Sequence, residues 1–77
     1  SQTKTITGTI IDETGEPMIG VSVLVQGTTT GAVTDLDGKF TLEVPANATL
    51  VVSYIGYKTQ NVKVGSQNTF AIKMESE

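Results

Sequence analysis

The sequence predicts an all-β fold, a seven-stranded antiparallel β-sandwich, on three observations. Apolar residues recur with period 2 in six separate stretches, the spacing that turns one face of a strand inward and the other outward. Val, Ile and Thr dominate those stretches, and no window carries a helical period. Clusters of Gly, Pro, Asn, Asp and Ser separate the stretches at roughly 8–12-residue spacing, the rhythm of a sandwich.

The elements follow in order. KTITGTIID sets Ile6, Gly8 and Ile10 on one side and Thr5, Thr7 and Thr9 on the other. The turn ETGEP, residues 13–17, leads into GVSVLVQ, with Val21, Val23 and Val25 on one face. QGTTTG, residues 26–31, precedes a shorter strand, GAVT, residues 31–34. KFTLEV supplies Phe40, Leu42 and Val44, and PANA, residues 45–48, breaks it. ATLVVSYI supplies Leu50, Val52 and Tyr54; NVKV supplies Val62 and Val64; TFAIKM supplies Phe70, Ile72 and Met74. IGYK and GSQN mark the breaks between these last three. Residues 1–77 therefore read as one domain, with its core over about 5–74 and a short polar tail at 75–77.

The segment TDLDGKF, residues 34–40, resembles a metal loop at first sight. A calcium-binding EF-hand loop needs Asp at its first, third and fifth positions and Gly at its sixth. Counted from Asp35, Gly38 falls at the fourth position, so the ligand spacing fails. A turn fits better. Asp favours the first position of a type I turn, where its carboxylate bonds a backbone N–H two residues on. Leu36-Asp37-Gly38 then forms a three-residue hairpin loop with Gly38 left-handed. Gly8 is the other informative glycine: inside a strand it implies a close neighbour, such as an aromatic ring, packed over it.

Composition removes several functions. The chain has no Cys and no His, so neither a disulfide nor a zinc site supports the thin core of so small a domain. The same absences, with no Arg, leave no triad, no thiol nucleophile and no guanidinium clamp. The acids Asp12, Glu13, Glu16, Asp35, Asp37 and Glu43 are scattered along the chain. No catalytic, cofactor-binding or metal-binding residue is assigned. A net charge of −3 without a basic stripe argues against nucleic acid and against anionic lipid. The longest apolar run, Leu50 to Val52, is far short of the ~20 residues of a membrane span. No signal-peptide pattern is present, so an exported protein is expected to have lost its leader.

Four longer motifs make the sequence recognisable: Gly8 to Asp12 as G-x-V/I-x-D, Gly15 to Val21 as G-x-P-L-x-G-V with Met18 in the Leu position, Gly27 to Phe40 as G-T-x-x-G-x-x-T-D-x-x-G-x-F, and Ser53 to Tyr57 as S-Y-x-G-Y. Over residues 5–74 the chain resembles the carboxypeptidase regulatory-like domain family, above all the N-terminal extension of SusC/RagA-like TonB-dependent outer-membrane transporters. That resemblance implies a transthyretin-like (prealbumin-like) Greek-key sandwich of Ig-like architecture. It implies a non-catalytic interaction domain on the periplasmic face of the outer membrane of a Gram-negative bacterium, serving import of a nutrient such as a glycan. The partner it implies is a periplasmic protein or the rest of the transporter's own chain. The same module is also fused to exported peptidases, where it is an accessory or stalk domain, and a free small-ligand carrier is a third possibility. Tyr57 is expected to hydrogen-bond back to a corner, as tyrosines do in Greek-key sandwiches.

One feature is left over once the core faces are filled. Ile11, Leu24, Val51 and Ile55 are apolar but out of phase with the inward sets. If the first, second and fifth strands share a sheet, Ile11, Leu24 and Val51 cluster on its outer face and form a docking surface, with Thr7, Thr9, Ser22 and Ser53 as its polar rim.

Overall fold

A computed structural model of the chain describes residues 3–77; Ser1 and Gln2, which open the domain expected over 1–77, lie outside the described residues. Seven strands form where the period-2 stretches stand: β1 (Thr3–Ile11), β2 (Ser22–Val25), β3 (Gly31–Val33), β4 (Lys39–Pro45), β5 (Thr49–Ser53), β6 (Gln60–Lys63) and β7 (Thr69–Lys73). They make two sheets, ordered β4-β1-β7 and β3-β2-β5-β6, packed as a sandwich.

Four strand pairings are antiparallel. The fifth corrects the expectation of a wholly antiparallel sandwich: β1 and β7 run parallel, from Thr7 beside Thr69 to Ile11 beside Lys73. A short turn forces its two strands to be antiparallel only when they are neighbours in the sheet. β1 and β7 are joined through all the other strands, so their relative direction is free of that constraint.

The inward faces are those expected. Ile6 and Ile10 of β1, Val23 and Val25 of β2, Phe40, Leu42 and Val44 of β4, Leu50 and Val52 of β5, and Phe70 and Ile72 of β7 are all buried. Val21, Val64 and Met74 continue that core just beyond the strand ends, while Val62 is half-buried against it. Tyr54 is a correction: it is exposed, because β5 stops at Ser53 and Tyr54 opens a turn closed by the Tyr57 N–H on its carbonyl at 3.1 Å.

Gly8 sits at the middle of this arrangement. It pairs with Phe40 on one side and with Phe70 on the other. A Cβ added there would lie 2.5 Å from Phe40 Cε1 and 3.2 Å from the Phe70 carbonyl oxygen. The ring over the strand glycine is thus Phe40, and the absent side chain is the room it occupies.

Thr34 is a buried polar residue that no periodicity announced. Its hydroxyl donates to the Met18 carbonyl at 2.6 Å and accepts from the Val21 N–H at 3.0 Å. Its own N–H donates to the Val21 carbonyl at 3.1 Å, and its carbonyl accepts from the Gly20 N–H at 3.1 Å. These bonds stitch the chain between β1 and β2 onto the end of β3, with no buried side-chain polar atom left unpaired among the described residues.

Substitutions at three buried positions test this packing and bonding. Phe40→Ala should lose about 3–5 kcal/mol, and Gly8→Ala should lose about 1–3 kcal/mol by overpacking against the same ring. Urea midpoints at unchanged slope measure both; a Gly8→Ala midpoint equal to that of the parent chain would show that the ring yields freely. Thr34→Val strands a buried N–H and a buried carbonyl and should cost about 1–3 kcal/mol, whereas Thr34→Ser should retain most of the stability. Equal losses from Val and Ser would assign the effect to packing rather than to the hydroxyl.

Candidate functional site

The expected docking residues part company in the structure. Leu24 of β2 and Val51 of β5 are direct cross-strand neighbours on the outer face of the four-stranded sheet. Leu24 is 40% exposed, Val51 is half-buried, and the Leu24 side chain lies over Gly31 of the edge strand. Ser22 and Ser53 pair beside them, and the exposed Val33 stands opposite Ser22. Ile11 is elsewhere. It lies on β1 in the other sheet, half-buried and bridged to Pro17. The cluster of three assumed that the first strand borders the second and fifth; β1 instead borders β4 and β7. Thr7 and Thr9 leave the rim for the same reason.

TDLDGKF is a turn. The Asp35 carboxylate accepts the Asp37 N–H at 2.9 Å and the Lys39 N–H at 3.0 Å through the same oxygen, Oδ1. The Gly38 N–H donates to the Asp35 carbonyl at 2.9 Å, with Gly38 at φ 73°. The bonding is that of a hairpin loop, but the strands it joins, β3 and β4, belong to different sheets. The segment therefore turns a corner between layers, which corrects the hairpin expected there.

Asp12 builds the same turn a second time. Its Oδ1 accepts from the Thr14 N–H at 2.9 Å, the Thr14 hydroxyl at 2.7 Å and the Glu16 N–H at 3.0 Å, and Gly15 takes the place of Gly38. The shared signal, Asp-x-x-Gly at 12–15 and 35–38, was present in the sequence. Donated hydrogen bonds hold both carboxyls below the ordinary value of 3.8. For Asp12 the Thr14 hydroxyl contributes most, and for Asp35 the Lys39 N–H.

Tyr54 and Tyr57 stand 5.9 Å apart with rings tilted by 53°. Tyr57 packs its ring against the core edge, and its hydroxyl makes no hydrogen bond among the described residues, so the expected corner bond is not formed. Two open depressions mark the surface, one of about 300 Å³ bordered by Thr7, Thr9, Thr41 and Thr69 and one of about 400 Å³ bordered by Val25, Leu42 and Pro45. Hydroxyls and apolar groups line them, apart from Lys39 at the first and Glu43 at the second, and neither juxtaposes an acid with a base. Among the described residues no three acidic groups gather where a metal ion would fit.

Residues 6–77 match the model of the CarboxypepD_reg-like domain. The chain belongs to that family. It is homologous to the N-terminal part of SusC-type TonB-dependent receptors: 44% identical over 77 residues to the TonB-dependent receptor SusC of Bacteroides thetaiotaomicron, and 44% identical over 73 residues to a TonB-dependent receptor of Formosa agariphila. These matches take in 100% and 94% of this chain but only 8% and 7% of the two receptors. Its fold is similar to that of a chain in the crystal structure of a type II cohesin–X-dockerin complex from Acetivibrio cellulolyticus, with a TM-score of 0.76 and 27% identity over 95% of this CarboxypepD_reg-like domain and 58% of that chain.

The two aspartate turns should make the domain acid-sensitive in one direction. Carboxyls lowered in the folded state contribute stability that is complete above the unfolded value of 3.8 and is lost as pH falls through their lower folded values. The melting temperature should therefore fall from about pH 4 downward. In Asp12→Ala/Asp35→Ala it should start lower and depend less on pH across that window. A double variant with the parent's pH slope would place the acid sensitivity elsewhere.

Proposed function

We propose that this domain is a non-catalytic interaction module of a SusC-type TonB-dependent receptor. It lies on the periplasmic side of the outer membrane and supports import of a large nutrient such as a glycan. The observation that carries this reading is the match of the whole chain to SusC at 44% identity. The same match favours a receptor over an exported enzyme as the parent protein. A chain without His or Cys, whose carboxylates at Asp12 and Asp35 hold turns, supports action by contact rather than by turnover. The partner is a protein, in the periplasm or elsewhere in the receptor's own chain, and the likeness to a chain of a cohesin–X-dockerin complex supports that class.

Leu24 and Val51 are the anchors of the contact on the sheet face, with Ser22 and Ser53 at the rim and without Ile11. Apolar anchors within a polar surround are the usual composition of such a contact. In a full-length receptor, Leu24→Lys/Val51→Lys should lower substrate uptake while barrel abundance and the domain's melting temperature hold. Normal uptake by that variant removes the sheet face from the reading. Normal uptake by a receptor lacking the whole domain removes the reading itself.

A further inference from the structure

The two ends of the sandwich differ in chemistry. Nine residues of β1 span roughly 30 Å at 3.3 Å each, more than either of the two shorter extents, 21 and 18 Å, so the strands lie along the 38 Å axis. One end gathers residues 12–21, 34–38, 54–59 and 74–77. The Ile10 N–H reaches the Gly38 carbonyl at 2.7 Å, and the Met18 N–H reaches the Ile10 carbonyl at 3.0 Å. The Lys58 N–H reaches the Glu75 carbonyl at 2.8 Å, and the Glu77 N–H reaches the Gly56 carbonyl at 3.1 Å. The Glu13 carboxylate accepts from the Ser76 hydroxyl at 2.8 Å and ties the last residues to the first turn.

Three separate turns on that end each hold out a large aliphatic side chain: Ile19 at 53% exposure, Leu36 at 78% and Ile55 at 89%. Tyr54 joins them. The loops of the opposite end, residues 26–30, 46–48 and 64–68, present no exposed large apolar residue. The remaining two, Leu24 and Val33, are on the sheet face. Turns of this kind are satisfied by polar residues, so nothing in the local backbone calls for Leu36 or Ile55.

Charge is divided the same way. Asp12, Glu13, Glu16, Asp35, Asp37, Glu75 and Glu77 stand on the apolar-tipped end against Lys39, Lys58 and Lys73, a side-chain charge of −4. The rest of the chain holds Glu43 against Lys4 and Lys63, a charge of +1.

We propose that this end is a second contact surface and that its occupant is a cationic protein segment, apolar at its centre and bearing Lys or Arg around it. The inference rests on the reading of the domain as an interaction module but uses a surface distinct from Leu24 and Val51. Ile19, Leu36 and Ile55 act as anchors in a cross-section of at most 21 by 18 Å, and the carboxylates form the rim. The charge selects among occupants. An anionic lipid surface is repelled, and a second copy of the chain meets this end with the same −4, whereas a basic partner is both steered and held.

The 77-residue chain can be titrated with a short amphipathic peptide of leucine and lysine while methyl and amide NMR shifts are followed. Saturable shifts centred on Ile19, Leu36 and Ile55, weakened as salt rises, are expected. Replacing the peptide's lysines with glutamates, or its leucines with serines, should each weaken binding about tenfold or more. Leu36→Ser/Ile55→Ser and, separately, Glu16→Gln/Asp37→Asn should do the same at an unchanged melting temperature. The absence of binding overturns the proposal. So does equal binding of the glutamate peptide, a shift pattern centred on Leu24 and Val51, binding of the tips to phosphatidylcholine vesicles without binding the peptide, or self-association through the tips in sedimentation. Loss of uptake in Leu24→Lys/Val51→Lys, with no peptide bound at the tips, would sink this surface and leave the interaction module standing.

Discussion

The tightest packing constraint in the core is the Phe40 ring lying over the backbone of β1, where a side chain at position 8 would stand. β1 is the middle strand of the smaller sheet, with Phe40 of β4 on one flank of Gly8 and Phe70 of β7 on the other. Both rings are buried, and the Phe40 ring fills the space that a Cβ at Gly8 would need. The core around them is almost wholly aliphatic, with neither Cys nor His to staple it. In so small a domain the area buried per residue is limited, and close contact at the centre is what apolar packing has to rely on. The Phe40 ring can lie flat over β1 at this level because position 8 carries no side chain.

What could be read from the sequence was what depends on local rules. The inward residues followed from period 2 because a strand has only two faces, and one of them met the core. The bonding of the Asp35 turn followed from the side-chain chemistry of Asp and the freedom of Gly38. Sheet membership has no such local rule. Ile11 looked like a companion of Leu24 and Val51, and the loop at Asp35 looked like a hairpin, because parity within a strand does not tell which strand lies next to it. Thr34 was hidden for a related reason. Its hydroxyl serves partners 13 and 16 residues away, and a threonine at a strand end reads as an ordinary polar residue until the partners are folded onto it. Tyr54 continued the alternation of β5 by one residue after the strand had stopped.

The parts that organise this domain leave little polar chemistry to spare. Asp12 and Asp35 each turn a carboxylate onto two backbone N–H groups, and Thr34 commits its hydroxyl in both directions. Exposed apolar side chains and an uneven distribution of charge remain beside those committed groups. The two candidate surfaces use different physics: Leu24 and Val51 lie flat on a sheet, while Ile19, Leu36 and Ile55 stand on turns among carboxylates.

The parallel pairing of β1 and β7 bears on how the domain would take tension applied at its two ends. Thr3 begins β1 at one end of the sandwich, and Lys73 finishes β7 beside Ile11 at the other, so the chain passes through the domain lengthwise and does not double back. Tension between the two sides of such a domain pulls β1 and β7 in opposite directions along their own length. Their hydrogen bonds then carry the load in shear and must give way together. A hairpin pulled at its open end peels one bond at a time and yields sooner. The topology therefore sets this small sandwich, which has no Cys for a covalent cross-link, to meet tension along its strand axis in shear rather than by peeling.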